Sequence, residues 1–146
     1  MFHIIDDEPM LRELLDTIID DAGFSSRSFE SGEAYLRFLH SPDFEKPTAI
    51  LSDVSMPGIS GYDLATAIRK VYPLQKIILV TGNVNNEQIQ SVKKHLCYIL
   101  AKPFHPEVVI DLLTSLSACE KSCENNPTLE YFKDCKLAID QNCPFH

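Results

Sequence analysis

Residues 49–61 read Ala49-Ile50-Leu51-Ser52-Asp53-Val54-Ser55-Met56-Pro57-Gly58-Ile59-Ser60-Gly61. Ala49 to Leu51 is an apolar run of strand length, and it ends in the carboxylate of Asp53. Ser60-Gly61-Tyr62-Asp63 then resembles a capping box. It opens a helical pattern through Leu64, Ala67, Ile68 and Val71 to Pro73. Strand, acid, helix is thus the unit to look for on either side.

The unit recurs. Further strand-length runs lie at Phe2–Ile5, Phe24–Phe29 (the weakest), Lys76–Val80 and Tyr98–Ala101. Helical patterns fall between them. The first places Leu11, Leu14, Leu15, Ile18, Ile19 and Ala22 on one stripe, and Gly23 stops it. The second starts at Ser31, a good N-cap, and carries Ala34, Leu36, Phe38 and Leu39. The fourth covers about Asn86 to Leu96. The fifth opens at Pro106, a residue tolerated at a first helical position, and runs through Val109, Leu112, Leu113 and Leu116. Five β-α units whose strands show little polar alternation predict an α/β fold. A parallel five-stranded sheet is covered on both faces by five helices, the doubly wound arrangement. In such a sheet, sites form at the carboxyl ends of the strands.

Bulk properties bound the function. A chain of 146 residues suits one domain, and 45% hydrophobic residues supply a core without staples. The net charge of -8 argues against a nucleic-acid face on this chain, since such a face needs a basic stripe. No apolar run nears the roughly 18 residues of a membrane span. The start, Met1-Phe2-His3-Ile4-Ile5-Asp6, turns acidic too soon for a signal peptide. Five cysteines, an odd number without a secretory signal, fit reduced thiols and a cytoplasmic location.

Four of the five runs end in a polar residue with reactive potential: Asp6-Asp7, Asp53, Thr81 and Lys102. Singly, these read as loop starters, a turn residue and a surface lysine. Together, at the ends of parallel strands, they converge on one edge. Three carboxylates crowded there repel one another and suit Mg²⁺, a hard dication that takes oxygen ligands and keeps several waters. A carboxylate can also attack a phosphoryl group. A lysine ammonium and a threonine hydroxyl can hold the remaining phosphoryl oxygens.

Four motifs now bear on identity. They are Ile4-Ile5-Asp6-Asp7-Glu8-Pro9, Ser52-Asp53-Val54-Ser55-Met56-Pro57-Gly58-Ile59-Ser60-Gly61, Val80-Thr81-Gly82 and Ala101-Lys102-Pro103-Phe104. They resemble, in order and spacing, those of bacterial response-regulator receiver domains, over about Met1 to Ser117. The resemblance implies a flavodoxin-like sheet of order 2-1-3-4-5. It implies Asp53 as phosphoacceptor, and Thr81 and Lys102 as ligands of the phosphoryl group. Mg²⁺ would be held directly by Asp7 and Asp53, mainly through water by Asp6, and by the backbone carbonyl of Ser55. Gly82 would let the backbone come close to the phosphoryl group, and Lys102-Pro103 would be a cis peptide. The domain would be a signalling switch and not a metabolic enzyme. Its phosphoryl group would come from a sensor histidine kinase or phosphotransfer protein, and it would hydrolyse that group slowly itself. Output would leave through the face of the fourth helix, fifth strand and fifth helix, toward an output domain or effector.

One position departs from the family pattern. A tyrosine or phenylalanine is usual three residues before the lysine, and Ile99 stands there. Tyr98 is adjacent, but strand alternation points it to the other face. Two other functions compete. An aspartyl-phosphate phosphatase usually has Asp-x-Asp at the nucleophile, whereas Asp53 is followed by Val54-Ser55. A phosphorylation-independent binding module with the same fold would not need the complete set of Asp6, Asp7, Asp53, Thr81 and Lys102.

The domain is expected over 1–118, with 119–146 a tail or the start of a truncated output region. Cys119, Cys123, Cys135, Cys143 and His146 lack the spacing of a zinc site and read as ordinary thiols and a terminal histidine. Tyr131-Phe132 reads as a packing spot. His3, His40 and His95 are scattered, and His105 reads as a helix N-terminal residue.

Overall fold

The computed structural model describes residues 1–83, 87–92 and 95–125, with side chains to 118. The tail from 126 on, with Cys135, Cys143, His146 and Tyr131-Phe132, lies outside the described residues, as do the side chains of Cys119 and Cys123.

Strands and helices alternate throughout: β1 (Phe2–Ile5), α1 (Pro9–Asp21), β2 (Ser26–Phe29), α2 (Gly32–Leu39), β3 (Ala49–Asp53), α3 (Gly61–Val71), β4 (Ile77–Thr81), α4 (Glu87–Val92), β5 (Tyr98–Ala101) and α5 (Pro106–Asn125). The local signals act where they stand in the sequence. Gly23 adopts φ 86 after α1, a left-handed conformation that costs glycine little. The Ser31 and Ser60 hydroxyls cap α2 and α3 by accepting from the amides of Ala34 and Asp63, at 3.0 and 3.2 Å. Pro106 opens α5, and the carbonyl of His105 just before it accepts from Val108 and Val109. The backbone of α5 continues to Asn125, through the 118/119 division expected from the sequence.

All four strand pairings are parallel, and the sheet order is β2-β1-β3-β4-β5, as the sequence predicts. Strand alternation sends side chains to two separate apolar layers. Phe2, Ile4, Leu51, Ile78, Val80 and Leu100 meet Leu15, Ile18 and Ile19 of α1 and Val109, Leu112, Leu113 and Leu116 of α5. Ile5, Ile50, Ile77 and Leu79 meet α2, α3 and α4 through residues such as Leu39, Leu64, Ile68 and Ile89. Burial of both faces explains why β1, β3 and β4 are mostly apolar without polar alternation. At the edge, β2 is polar (Ser26-Arg27-Ser28) and begins two residues later than its sequence run. Tyr98 packs into the α1/α5 layer and Ile99 into the opposite one, the split that alternation predicts.

His3 is buried beneath α2. Its Nδ1 lies 2.9 Å from the Tyr35 hydroxyl, and its ring meets Phe29, Tyr35, Phe38 and Phe44 edge-on. Burial, with Arg27 and the N-terminal amine nearby, lowers its pKa from 6.5 to about 4. It is a core histidine, neutral at physiological pH.

Candidate functional site

The register brings the strand ends together. Asp53 ends β3 beside Val80, and Thr81, the next residue, ends β4 beside Ala101. Three further ladder bonds fix the residues just past the strand ends: the amide of Asp6 donates to Phe29 at 3.1 Å, that of Val54 to Val80 at 3.2 Å, and that of Lys102 to Thr81 at 2.8 Å. Asp6, Asp7, Asp53, Thr81 and Lys102 therefore lie at one edge of the sheet.

At that edge the carboxylates of Asp6, Asp7 and Asp53 have oxygens all within 4.8 Å of one another. Asp6 and Asp53 are buried and Asp7 is exposed. The Lys102 ammonium donates to Asp53 Oδ1 at 2.9 Å, offsetting part of the negative charge. Burial pushes the Asp6 carboxyl up from 3.8 to about 6, and the charges of Asp53 and Asp7 push the same way. The Glu8 amide, which donates to Asp6 Oδ1 at 2.9 Å, and Lys102 oppose that rise. The carboxylate oxygens are hard, close together and only partly neutralised, so the residues fit Mg²⁺. Ser55 is exposed, two residues beyond Asp53.

The surrounding backbone sets the positions. A Cβ on Gly61 would sit 2.4 Å from the Asp53 carbonyl oxygen and 2.9 Å from Val54 Cα, so only glycine lets α3 start this close to β3. The Gly61 amide donates to the Val54 carbonyl at 2.9 Å. Thr81 Oγ1 accepts from the Asn83 amide at 3.1 Å, joining the end of β4 to the loop beyond it. Among the described residues nothing lies within 4 Å of a Cβ built on Gly82. The Lys102-Pro103 peptide is cis.

Asp6, Asp7, Asp53, Thr81 and Lys102, all expected from the sequence, are thus at one edge. Three residues that sequence reasoning misses also contribute. Arg12 of α1 donates to the Asp6 carbonyl at 2.6 Å. Gly61 closes the second of the four motifs and belongs to the capping box, but its close approach to Asp53 is not read from either. Glu33 of α2 reaches the loop after Asp53, its Oε1 accepting from the Ile59 amide at 2.7 Å. Local patterning holds no signal for contacts that cross between elements, although the tight Ser60-Gly61 start of α3 could have flagged Gly61.

The chain is similar to known proteins. The family model described as "Response regulator receiver domain" matches residues 2–114. The DNA-binding transcriptional regulator NtrC of Klebsiella pneumoniae is 30% identical over 111 residues, which are 75% of this chain and 23% of NtrC. The chain thus spans about a quarter of that relative's length. Among solved structures, the chemotaxis response regulator CheY4 of Vibrio cholerae is 26% identical with a TM-score of 0.69, covering 79% of this chain and 96% of CheY4. The response regulator TrrA of Thermotoga maritima, solved in complex with Mg(2+)-BeF, is 28% identical with a TM-score of 0.67, over 79% and 96% of the two chains. With its site at the carboxyl edge of a 2-1-3-4-5 sheet and a family match over most of its length, the chain belongs to the response regulator receiver domains.

Proposed function

We propose that this receiver domain accepts a phosphoryl group on Asp53, in a Mg²⁺-dependent reaction, from a sensor histidine kinase or phosphotransfer protein. Its phosphorylation state then switches an interaction with an output domain or effector. The observation that carries this reading is the placement of Asp53. It ends the central strand, with two further carboxylates within 4.8 Å and an ammonium at 2.9 Å.

An Asp53 carboxylate oxygen attacks the phosphorus of the donor phosphohistidine. The new O–P bond forms as the N–P bond breaks, and the imidazole leaves with the electron pair and takes up a proton. Asp6, Asp7, Asp53 and the Ser55 carbonyl would hold Mg²⁺, which would supply neutralisation of the charge developing on the phosphoryl oxygens. Lys102, already on Asp53, moves to a phosphoryl oxygen as the carboxylate charge passes outward. The Thr81 hydroxyl takes another oxygen and draws the Asn83 amide bound to it along. That movement, and not an aromatic rotamer, carries the signal, because Ile99 offers no ring and Tyr98 packs in the opposite layer. Output leaves through α4, β5 and α5. The receiver unit spans 1–118 in this reading, residues 119–146 form a tail or the start of an output region, and the site of action is the cytoplasm.

Phosphoramidate with Mg²⁺ tests the assignment. The wild-type chain should gain the mass of one phosphoryl group and Asp53→Ala should gain none. The same gain in Asp53→Ala would overturn it, and no gain in the wild type would favour a phosphorylation-independent binding module.

A further inference from the structure

The loop of residues 55–60 carries the Ser55 carbonyl, the one proposed Mg²⁺ ligand that comes from the main chain. Among the described residues, the one amide in this loop with a hydrogen-bond partner is that of Ile59. Its partner is not in the loop or on either flanking element. It is Glu33 Oε1 of α2, 26 residues away in sequence, at 2.7 Å. The same helix touches the loop at a second point, since a Cβ on Gly32 would lie 3.3 Å from the Ile59 Cβ. Gly58, the residue before Ile59, has φ 81, and a Cβ there would lie 2.1 Å from Glu33 Oε1. The loop thus leaves room for this carboxylate by placing glycine, in a left-handed conformation, directly beneath it. The Ile59 amide also holds the Glu33 carboxyl below the usual carboxylate range.

We infer that Glu33 is a positioning residue of the phosphoryl-transfer site. It clamps the loop after β3 to α2 through Ile59, and so holds the Ser55 carbonyl where Mg²⁺ needs it. The inference rests on the Mg²⁺ reading of the site. Glu33 touches neither the metal nor the phosphoryl group. Its effect comes from pre-ordering a ligand, so that the loop does not have to be ordered when the ion arrives. A clamp needs an acceptor oxygen at this point and does not need the charge.

That distinction makes the inference testable. Mg²⁺ binding to the full chain is followed by calorimetry, and hydrogen exchange at the Ile59 amide is followed by NMR without metal. Glu33→Ala should weaken Mg²⁺ binding about tenfold, the lower end of what loss of an outer-shell partner costs, and should strip the Ile59 amide of protection. Glu33→Gln, which keeps an acceptor oxygen, should stay close to wild type in both. Gly58→Ala forces the carboxylate off Ile59, so adding Glu33→Ala to it should weaken binding no further. Wild-type affinity in Glu33→Ala would overturn the inference, as would additive losses in the double variant. Equal losses in Gln and Ala would also overturn it, since they point to long-range charge. Absence of Mg²⁺ binding in the wild type would instead overturn the metal reading, and this inference with it.

Discussion

Gly61→Ala perturbs the closest backbone approach in the site. The added methyl meets the Asp53 carbonyl oxygen at 2.4 Å, Val54 Cα at 2.9 Å and the Asp53 carbonyl carbon at 3.1 Å. All three are main-chain atoms of a buried strand end, so no rotamer change relieves the overlap. The first turn of α3 must retreat by about 1 Å to reach ordinary carbon contact distances near 3.5 Å. That retreat stretches the 2.9 Å bond from the Gly61 amide to Val54. Overpacking of this kind costs about 1–3 kcal/mol, and the gain in helix propensity from glycine to alanine returns up to about 1 kcal/mol. Three main-chain overlaps put the cost at the upper end of that range, so the net loss is about 2 kcal/mol, which for a chain of this length lowers Tm by roughly 4–8 °C. Urea denaturation gives the free energy and a thermal melt gives the Tm. Because the displaced atoms belong to the phosphoacceptor, phosphorylation by phosphoramidate should also slow at temperatures where the variant is fully folded. Gly82→Ala is the control. Its methyl meets nothing within 4 Å among the described residues and its φ is not positive, so stability should stay within about 0.5 kcal/mol of wild type. A Gly61→Ala protein that melts with the wild type would refute the reasoning.

Three further outcomes are expected. Mg²⁺ should stabilise the fold by about 2.7 kcal/mol at a hundred times its Kd, and a melting temperature indifferent to saturating Mg²⁺ would count against the pocket. The lowered pKa of His3 favours the neutral ring in the folded state, so its contribution to stability is present above about 6.5 and is lost as pH falls toward about 4. The loss amounts to about 3 kcal/mol, and urea titrations across that range should find it in the parent and not in His3→Phe. Finally, the beryllofluoride adduct should perturb backbone resonances from Thr81 to about Leu96 in the wild type and in Tyr98→Ala alike. Loss of the response in Tyr98→Ala would hand the aromatic role to that residue, and an undisturbed wild type would send output to another face.

Much of this architecture is legible in the sequence because the sheet is buried on both faces. Phe2–Ile5, Ala49–Asp53 and Ile77–Thr81 announce themselves as apolar runs for that reason, and their polar ends mark the site. β2 is the weak signal because Ser26, Arg27 and Ser28 are polar and only half-buried or exposed, so no apolar run marks it. The strand boundaries of β3 and β4 extend to Asp53 and Thr81 because pairing with their neighbours continues past the apolar residues. Contacts between distant elements leave no periodic trace. Glu33 looks like an ordinary first-turn acid, and its bond to Ile59 depends on how α2 and the loop after β3 come together. His3 looks like a scattered histidine because Tyr35, its partner, is 32 residues away. The acidic cluster is readable as residue types at strand ends, but the raised pKa of Asp6 depends on burial that only the fold supplies.

The polar character of β2 has a consequence for how such a molecule behaves when crowded. An outer strand offers unpaired amides and carbonyls to any passing extended chain and can seed growth of a sheet from one molecule into the next. Here that border is only four residues long and exposes Arg27, whose guanidinium lies 4.1 Å from the centre of the Phe38 ring. An incoming strand would have to strip water from that cation and pull it off its aromatic seat. Irreversible stacking through this border is therefore disfavoured. Contacts made across the helices can be formed and released repeatedly without this border becoming an adhesive.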